Sequence, residues 1–207
     1  MIQVSTHGGV TTLTLDRPEK ANALTEAMLR DLLDAVHAAK GAPALILTGT
    51  GRVFSAGADL EAARAGLATS SLWEELSGAI AGFEGLSIAA LNGTVAGGAN
   101  GMVLACDLRI AVPGAKFFYP VMKLGFLPQP SDPVRMTALI GAARTKWMLM
   151  AGQKIDTDQA LAFGLVDQIV PAEALLEQAH ALCADCVAAD RSTARAIKAL
   201  CQQHSPR

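Results

Sequence analysis

Apolar residues fall along this chain in two kinds of pattern. Thr25 to Ala39 sets Met28, Leu32, Leu33 and Val36 three and four positions apart, the spacing of a helix with one buried face, and Thr25 stands where an N-cap belongs. Val10 to Leu15 (VTTLTL) reads as a short strand that Asp16-Arg17-Pro18 ends. Ala44 to Thr48 (ALILT) is a continuous apolar run, as expected of a strand covered on both faces, and Ser87 to Leu91 reads as a second buried strand. Turns follow them at Gly49-Thr50-Gly51 and Asn92-Gly93, and a helix is expected from about Gly98 to Cys106. Leu108 to Val112 is a further strand. Strand, turn, helix, strand in this order predicts an α/β fold. From Thr145 onward the pattern is helical, clearest at Ala160 to Phe163 and Pro171 to Ala189, with Pro171 at a position that a first helical turn tolerates.

Composition narrows the classes. The chain has 207 residues, 51% hydrophobic and 17% charged, enough for a sizeable core in one domain or one domain with a small appendage. Its net charge of −2 and the lack of a basic run leave no electrostatic footprint for nucleic acid. The uncharged stretch from Gly85 to Cys106 is long enough to span a bilayer, but Asn92-Gly93, Gly97-Gly98 and Asn100-Gly101 break it, so no membrane segment is expected. The first residues, MIQVSTHGGV, carry no signal-peptide pattern. Only four cysteines occur, and a reducing, cytoplasmic setting is expected. Cys183-x-x-Cys186 has no second pair near it and reads as small apolar helix positions, so no metal site is expected. His7, His37, His180 and His204 lie outside every motif, which argues against a histidine-based triad.

Two glycine turns carry most of the chemistry: Phe54-Ser55-Ala56-Gly57-Ala58-Asp59-Leu60 and Asn92-Gly93-Thr94-Val95-Ala96-Gly97-Gly98-Ala99-Asn100-Gly101. Each follows a buried strand and puts small residues where a helix begins. Such a turn leaves backbone N–H groups without intrahelical partners, and two of them aimed at one point bind an oxyanion. Either turn alone also suits close strand-to-helix packing. Neither is a phosphate loop, because no G-x-G-x-x-G is present and no Gly-Lys-Ser/Thr follows. No G-x-S-x-G elbow surrounds Ser55.

Taken together and in order, the motifs are more specific. Leu47-Thr48-Gly49-x-Gly51-Arg52-x-Phe54-x-Ala56-Gly57-Ala58-Asp59-Leu60, then Asn92-Gly93-x-x-x-Gly97-Gly98 and Leu104-Ala105-Cys106-Asp107-Leu108-Arg109-Ile110-Ala111, resemble the two signatures of the enoyl-CoA hydratase/isomerase (crotonase) family. Asp16-Arg17-Pro18-x-x-x-Asn22-Ala23-Leu24, Lys123-Leu124-Gly125-x-x-Pro128 and Ala160-x-x-x-Gly164-Leu165-Val166-Asp167 extend the resemblance over roughly residues 2 to 200. It implies a crotonase-like ββα spiral core over residues 1–145 and a helical C-terminal region over 146–207, shorter than the family's, whose members continue past Lys198. It implies coenzyme A thioester substrates of the kind met in fatty acid metabolism and no other cofactor. It implies an oxyanion hole from the N–H groups of Ala58 and Gly98, a coenzyme A site along the backbone of Lys20, Ala21, Ala56 and Leu60, and a homo-oligomer, trimer or hexamer.

The sequence departs from the family at the proton-handling positions. Hydratases of this resemblance place one glutamate where Gly101 stands and a second where Val121 stands, and neither glycine nor valine carries a proton. The family's glycine-rich stretch after Pro128 is replaced by Gln129-Pro130-Ser131-Asp132. Asp132 is the candidate catalytic acid/base, expected in a loop and desolvated by Phe118, Phe126 and Leu127; its other reading is a turn or cap. Tyr119 could donate a proton or simply pack, and Asn100 could contact substrate or cap a helix. One ionisable group suits isomerisation better than hydration. The expectation is therefore an isomerase-type enzyme; the alternatives are a non-catalytic acyl-CoA-binding homologue, an acyl-CoA decarboxylase or thioesterase, or a structural partner subunit.

Overall fold

A computed structural model describes residues 1–203. His204, and with it the end of the C-terminal region expected to reach 207, lie outside the described residues. The strands are β1 (Ile2–His7), β2 (Val10–Leu15), β3 (Ala44–Gly49), β4 (Val53–Ser55), β5 (Leu86–Leu91), β6 (Thr94–Ala96), β7 (Leu108–Ala111), β8 (Lys116–Phe118), β9 (Ile155–Asp156) and β10 (Gln168–Ile169). The α-helices are α1 (Glu26–Ala38), α2 (Leu60–Arg64), α3 (Leu72–Ala81), α4 (Ala99–Ala105), α5 (Val121–Leu124), α6 (Ser131–Leu149), α7 (Thr157–Phe163), α8 (Leu175–Leu182), α9 (Ala184–Ala188) and α10 (Arg191–Gln203).

Two sheets organise the chain. The larger has six strands in the order β1-β2-β3-β5-β7-β10, and the smaller has four in the order β4-β6-β8-β9. A β1–β2 hairpin opens the large sheet, and from β2 onward its strands pair in parallel. Residues 44 to 48 of β3 and 87 to 91 of β5 are buried throughout, which is why these strands are mostly apolar. α1 buries Met28, Leu29, Leu32 and Val36, and the Thr25 hydroxyl caps it by accepting from Met28 N–H. α1 packs on α3, α3 on α4, and α4 on α6.

The small sheet positions the site. β4 and β6 are parallel neighbours, so both chains leave the sheet at the same edge and the two glycine turns emerge side by side.

Several expected boundaries move. The helix expected from Gly98 to Cys106 is Ala99–Ala105, with Gly98 as its N-cap. Pro171 precedes a 3₁₀ turn, Ala172–Ala174, and the segment to Ala189 is divided between α8 and α9. Helical structure begins at Ser131 rather than near Thr145, so the border expected between residues 145 and 146 falls inside α6. That helix is interrupted at Gly141, whose φ of 78° is in the left-handed region. The C-terminal elements are tied to the core. Buried Arg109 donates to the carbonyls of Leu165 and Cys106 and pairs with Asp167, and Lys198 on α10 reaches Asp107 and the Gly85 carbonyl. Among the described residues no helix is long and apolar enough to cross a membrane, and no group of three potential metal-binding side chains occurs.

Candidate active site

The first turn is held from below by Asn22. This residue is fully buried and left-handed at φ 52°. Its side-chain amide donates to the carbonyls of Thr50 and Val53, and its Oδ1 accepts from Arg17 N–H. The Ser55 hydroxyl donates to the Asn22 carbonyl and accepts from Gly57 N–H. Arg17 bonds Asp59 at 2.8 Å; this bond, with backbone N–H groups of the α2 turn, holds the Asp59 carboxyl below its ordinary range. The turn is thereby pinned at both ends of Ala56-Gly57-Ala58.

The direction of the Ala58 amide follows from its neighbours. Leu24 N–H donates to the Gly57 carbonyl and Asp59 N–H donates to the Leu24 carbonyl, an isolated parallel bridge around Ala58. In such a bridge the intervening residue turns its own N–H and C=O to the other side. Among the described residues nothing accepts from Ala58 N–H.

The second turn is built the same way from other parts. Gly97 is left-handed at φ 56° and donates to the Phe118 carbonyl, while Gly98 returns to φ −59°. Successive amides in turn conformations of this kind form a concave donor surface. Asn100 fixes it, donating from its side chain to the carbonyls of Gly97 and Phe118 at 2.8 and 3.1 Å. The two turns touch: a β-carbon at Gly57, whose φ is 89°, would stand 2.8 Å from the Ala96 carbonyl oxygen. A β-carbon at Gly98 would stand 3.1 Å from the indole of Trp73, which is itself fixed by a bond from Nε1 to the Leu67 carbonyl.

Both turns open into one cavity of about 370 Å³. Ala58 and Gly98 lie in its wall, with Ala56, Leu60, Trp73 and Tyr119. The lining is mostly apolar, and Arg64 is its one charged side chain. A partly apolar ligand matches this surface, because most of its lining is apolar.

Asp132 is neither in a loop nor dependent on exposed aromatic and leucine side chains for its burial. It occupies the first turn of α6 and is fully buried, whereas Phe126 and Leu127 are exposed. The packing of α6 on α4 buries it, with Gly101 directly opposite. Its Oδ2 accepts from the Tyr119 hydroxyl at 2.9 Å, and its Oδ1 has no partner among the described residues. Burial pushes its pKa up to about 6; the Tyr119 bond and Arg135 oppose the rise and Glu74 adds to it. Burial, then the negative Asp132, also raises the Tyr119 phenol above its ordinary value. Asp132 is not in the cavity wall, but Tyr119 is.

The structure thus brings Ala56, Ala58, Leu60 and Gly98 to one cavity. Lys20 and Ala21 do not line it; Lys20 is exposed, and the Ala21 carbonyl accepts from Ala56 N–H. Gly101 and Val121 carry no ionisable group, although Val121 reaches the cavity. Asn100 is a clamp for the second turn rather than a group facing the cavity. Sequence reasoning missed the Trp73 platform, since a tryptophan in an apolar helix gives no sign of which turn it will support.

The family model described as enoyl-CoA hydratase/isomerase matches residues 5–206. A Rhodobacter capsulatus protein named probable enoyl-CoA hydratase is 36% identical over 169 residues, covering 79% of this chain and 66% of its own length. The 2,3-dehydroadipyl-CoA hydratase of Escherichia coli is 34% identical over 186 residues, covering 85% of this chain and 71% of its own. The chain therefore spans roughly two thirds of the length of these relatives. The solved structure of Pseudomonas aeruginosa DspI superposes with a TM-score of 0.90 at 32% identity, covering all of this chain and 88% of that one.

Proposed function

Because the chain belongs to the enoyl-CoA hydratase/isomerase family, we propose that it binds an acyl-CoA thioester and stabilises the enolate of that thioester with the N–H groups of Ala58 and Gly98. The observation that carries this reading is the shared cavity. Ala58 and Gly98, from different turns, both line it, and each turn is held by its own set of buried clamps. Rigid donors waiting at the place where negative charge develops stabilise a transition state without reorganising, and each such donor is worth about 2.7–4 kcal/mol in comparable sites. The apolar lining suits an acyl chain with few polar groups.

The reaction type follows from what is missing. Adding water across a double bond requires one group to activate water and another to protonate carbon. Gly101 and Val121 supply neither. Moving a double bond needs one proton carrier, so isomerisation is favoured over hydration. A non-catalytic acyl-CoA-binding role is the second reading, favoured by the same two positions. Purified protein incubated with a panel of saturated, 2-enoyl, 3-enoyl and malonyl-type CoA thioesters, with products resolved by mass spectrometry and chromatography, separates the readings. Conversion of a 3-enoyl-CoA to its 2-enoyl isomer supports the first. Binding without conversion of any thioester supports the second, and no binding at all rejects both.

A further inference from the structure

The fully buried Asp132 presents one carboxylate oxygen to the Tyr119 hydroxyl and, among the described residues, leaves the other without a partner, while Tyr119, not Asp132, forms part of the cavity wall. We propose that Tyr119 and Asp132 form a proton relay for this cavity, in which Tyr119 Oη exchanges a proton with the substrate carbon and Asp132 holds that proton behind the wall.

The reading rests on the acyl-CoA function proposed above and deepens it by naming the proton carrier. The hydrogen bond already sets the direction. The phenolic proton points at Asp132 Oδ2, so the oxygen lone pairs are free to turn to the cavity. As the α-carbon gives its proton to Tyr119 Oη, the phenolic proton passes to Asp132. The C–H electron pair becomes the enolate at Ala58 and Gly98, and the carboxylate becomes a neutral acid. While the enolate is held, Tyr119 Oη, at the cavity wall, trades its proton with solvent, and reversal of the two transfers then delivers a solvent proton to the γ-carbon or back to the α-carbon, with no net proton consumed.

The surroundings suit this division of labour. Tyrosinate is disfavoured by burial and by the carboxylate beside it, so Tyr119 transmits a proton without holding a charge. The unpartnered Oδ1 gains nothing from staying charged in an enclosed site, and taking a proton relieves it. The charged groups around the carboxylate are Arg135 on its own helix and Glu74 on α3, and Glu74 is itself engaged by the Ser131 hydroxyl at 3.0 Å. Gly101 on α4 supplies the space. Tyr119 is the catalytic residue of the pair; Asp132 acts through it, as a positioning residue and proton reservoir.

The test is α-proton exchange of trans-3-hexenoyl-CoA in heavy water, followed by mass spectrometry, with thioester affinity measured separately by calorimetry. Wild type is expected to bind and exchange. Tyr119→Phe and Asp132→Asn are expected to lose at least about 100-fold in exchange, the scale of one general acid–base group, with affinity within about threefold. The double variant is expected to lose no more than the worse single variant, because the pair works as a unit. Exchange by wild type is expected to rise through about pH 6 as Asp132 ionises, and Asp132→Asn is expected to lose that limb, which a purely structural residue does not produce. If Asp132→Asn is poorly folded by circular dichroism, Tyr119→Phe alone decides. Exchange in a folded Tyr119→Phe within about threefold of wild type overturns the relay and leaves the thioester reading standing. Binding by wild type without any exchange overturns the relay and enolate formation together, and absence of binding overturns the thioester site itself.

Discussion

The carboxylate of Asp132 occupies the space that a side chain at Gly101 needs. A β-carbon there would stand 2.9 Å from Oδ1 and 3.2 Å from Oδ2. The missing glutamate and the buried aspartate are therefore coupled: the space between α4 and α6 holds one carboxylate, and here it comes from α6 rather than α4. Gly101→Glu by itself is expected to cost about 1–3 kcal/mol through overpacking. In an Asp132→Ala background the new carboxylate has room beside Tyr119, and the double variant is expected to be more stable than the sum of the two single losses. Urea unfolding of the four proteins measures this; a Gly101→Glu variant as stable as wild type contradicts the steric coupling.

Hydration of crotonyl-CoA is expected to stay at background, since the cavity offers one proton carrier and no second group to activate water. The loss of the enoyl absorbance under excess protein reads this directly. Turnover at rates ordinary for enzymes shows that other residues replace the two glutamates.

Asp132 also makes a prediction about stability. Its pKa rises from an ordinary 3.8 in the unfolded chain to about 6 in the fold. Between these values the native protein holds a proton that the unfolded chain releases. Stability from this group is therefore greatest at low pH, falls as pH rises from about 4 to 6, and is level above that. The full difference is on the order of 3 kcal/mol at about 1.4 kcal/mol per pKa unit. Asp132→Asn removes it, so the unfolding free energy of wild type relative to the variant is expected to decline over that window. An equal pH dependence in both proteins places the carboxyl in a wetter site than the structure shows.

Much of the fold was legible because burial leaves a simple mark. β3 and β5 are covered on both faces and so read as buried, mostly apolar strands, and α1 shows its buried stripe and Thr25 cap in order. The two glycine turns were legible as a pair because their spacing is set by the strands that precede them. What could not be read was anything created by packing between distant segments. Asp132 beside proline has the composition of a turn, yet α6 begins there because the α4–α6 contact encloses it. The Tyr119–Asp132 bond, the Trp73 support under Gly98 and the withdrawal of Asn100 into a clamp arise from the same cause: each depends on a partner that local periodicity does not name.

The contact between the two turns has its own consequence. Gly57 is left-handed and lies against the Ala96 carbonyl, so Gly57→Ala meets both backbone strain and a clash that no side-chain movement relieves. A loss of about 1–3 kcal/mol in stability is expected, together with a larger fall in kcat than in thioester affinity, because the two donors are spread apart. Thermal unfolding and steady-state kinetics check both. A stable Gly57→Ala variant with unchanged kcat separates this contact from the chemistry.

In the proposed complex the backbone N–H groups of Ala58 and Gly98 grip the thioester oxygen of a bound acyl-CoA. The carbonyl stretch of a thioester labelled with carbon-13 at the carbonyl, recorded by isotope-edited infrared difference spectroscopy, reports on that oxygen alone. On binding to the protein the band is expected to move to lower wavenumber than in buffer, as two donors polarise the bond. A thioester that binds with its carbonyl band unmoved rules out the two-donor grip.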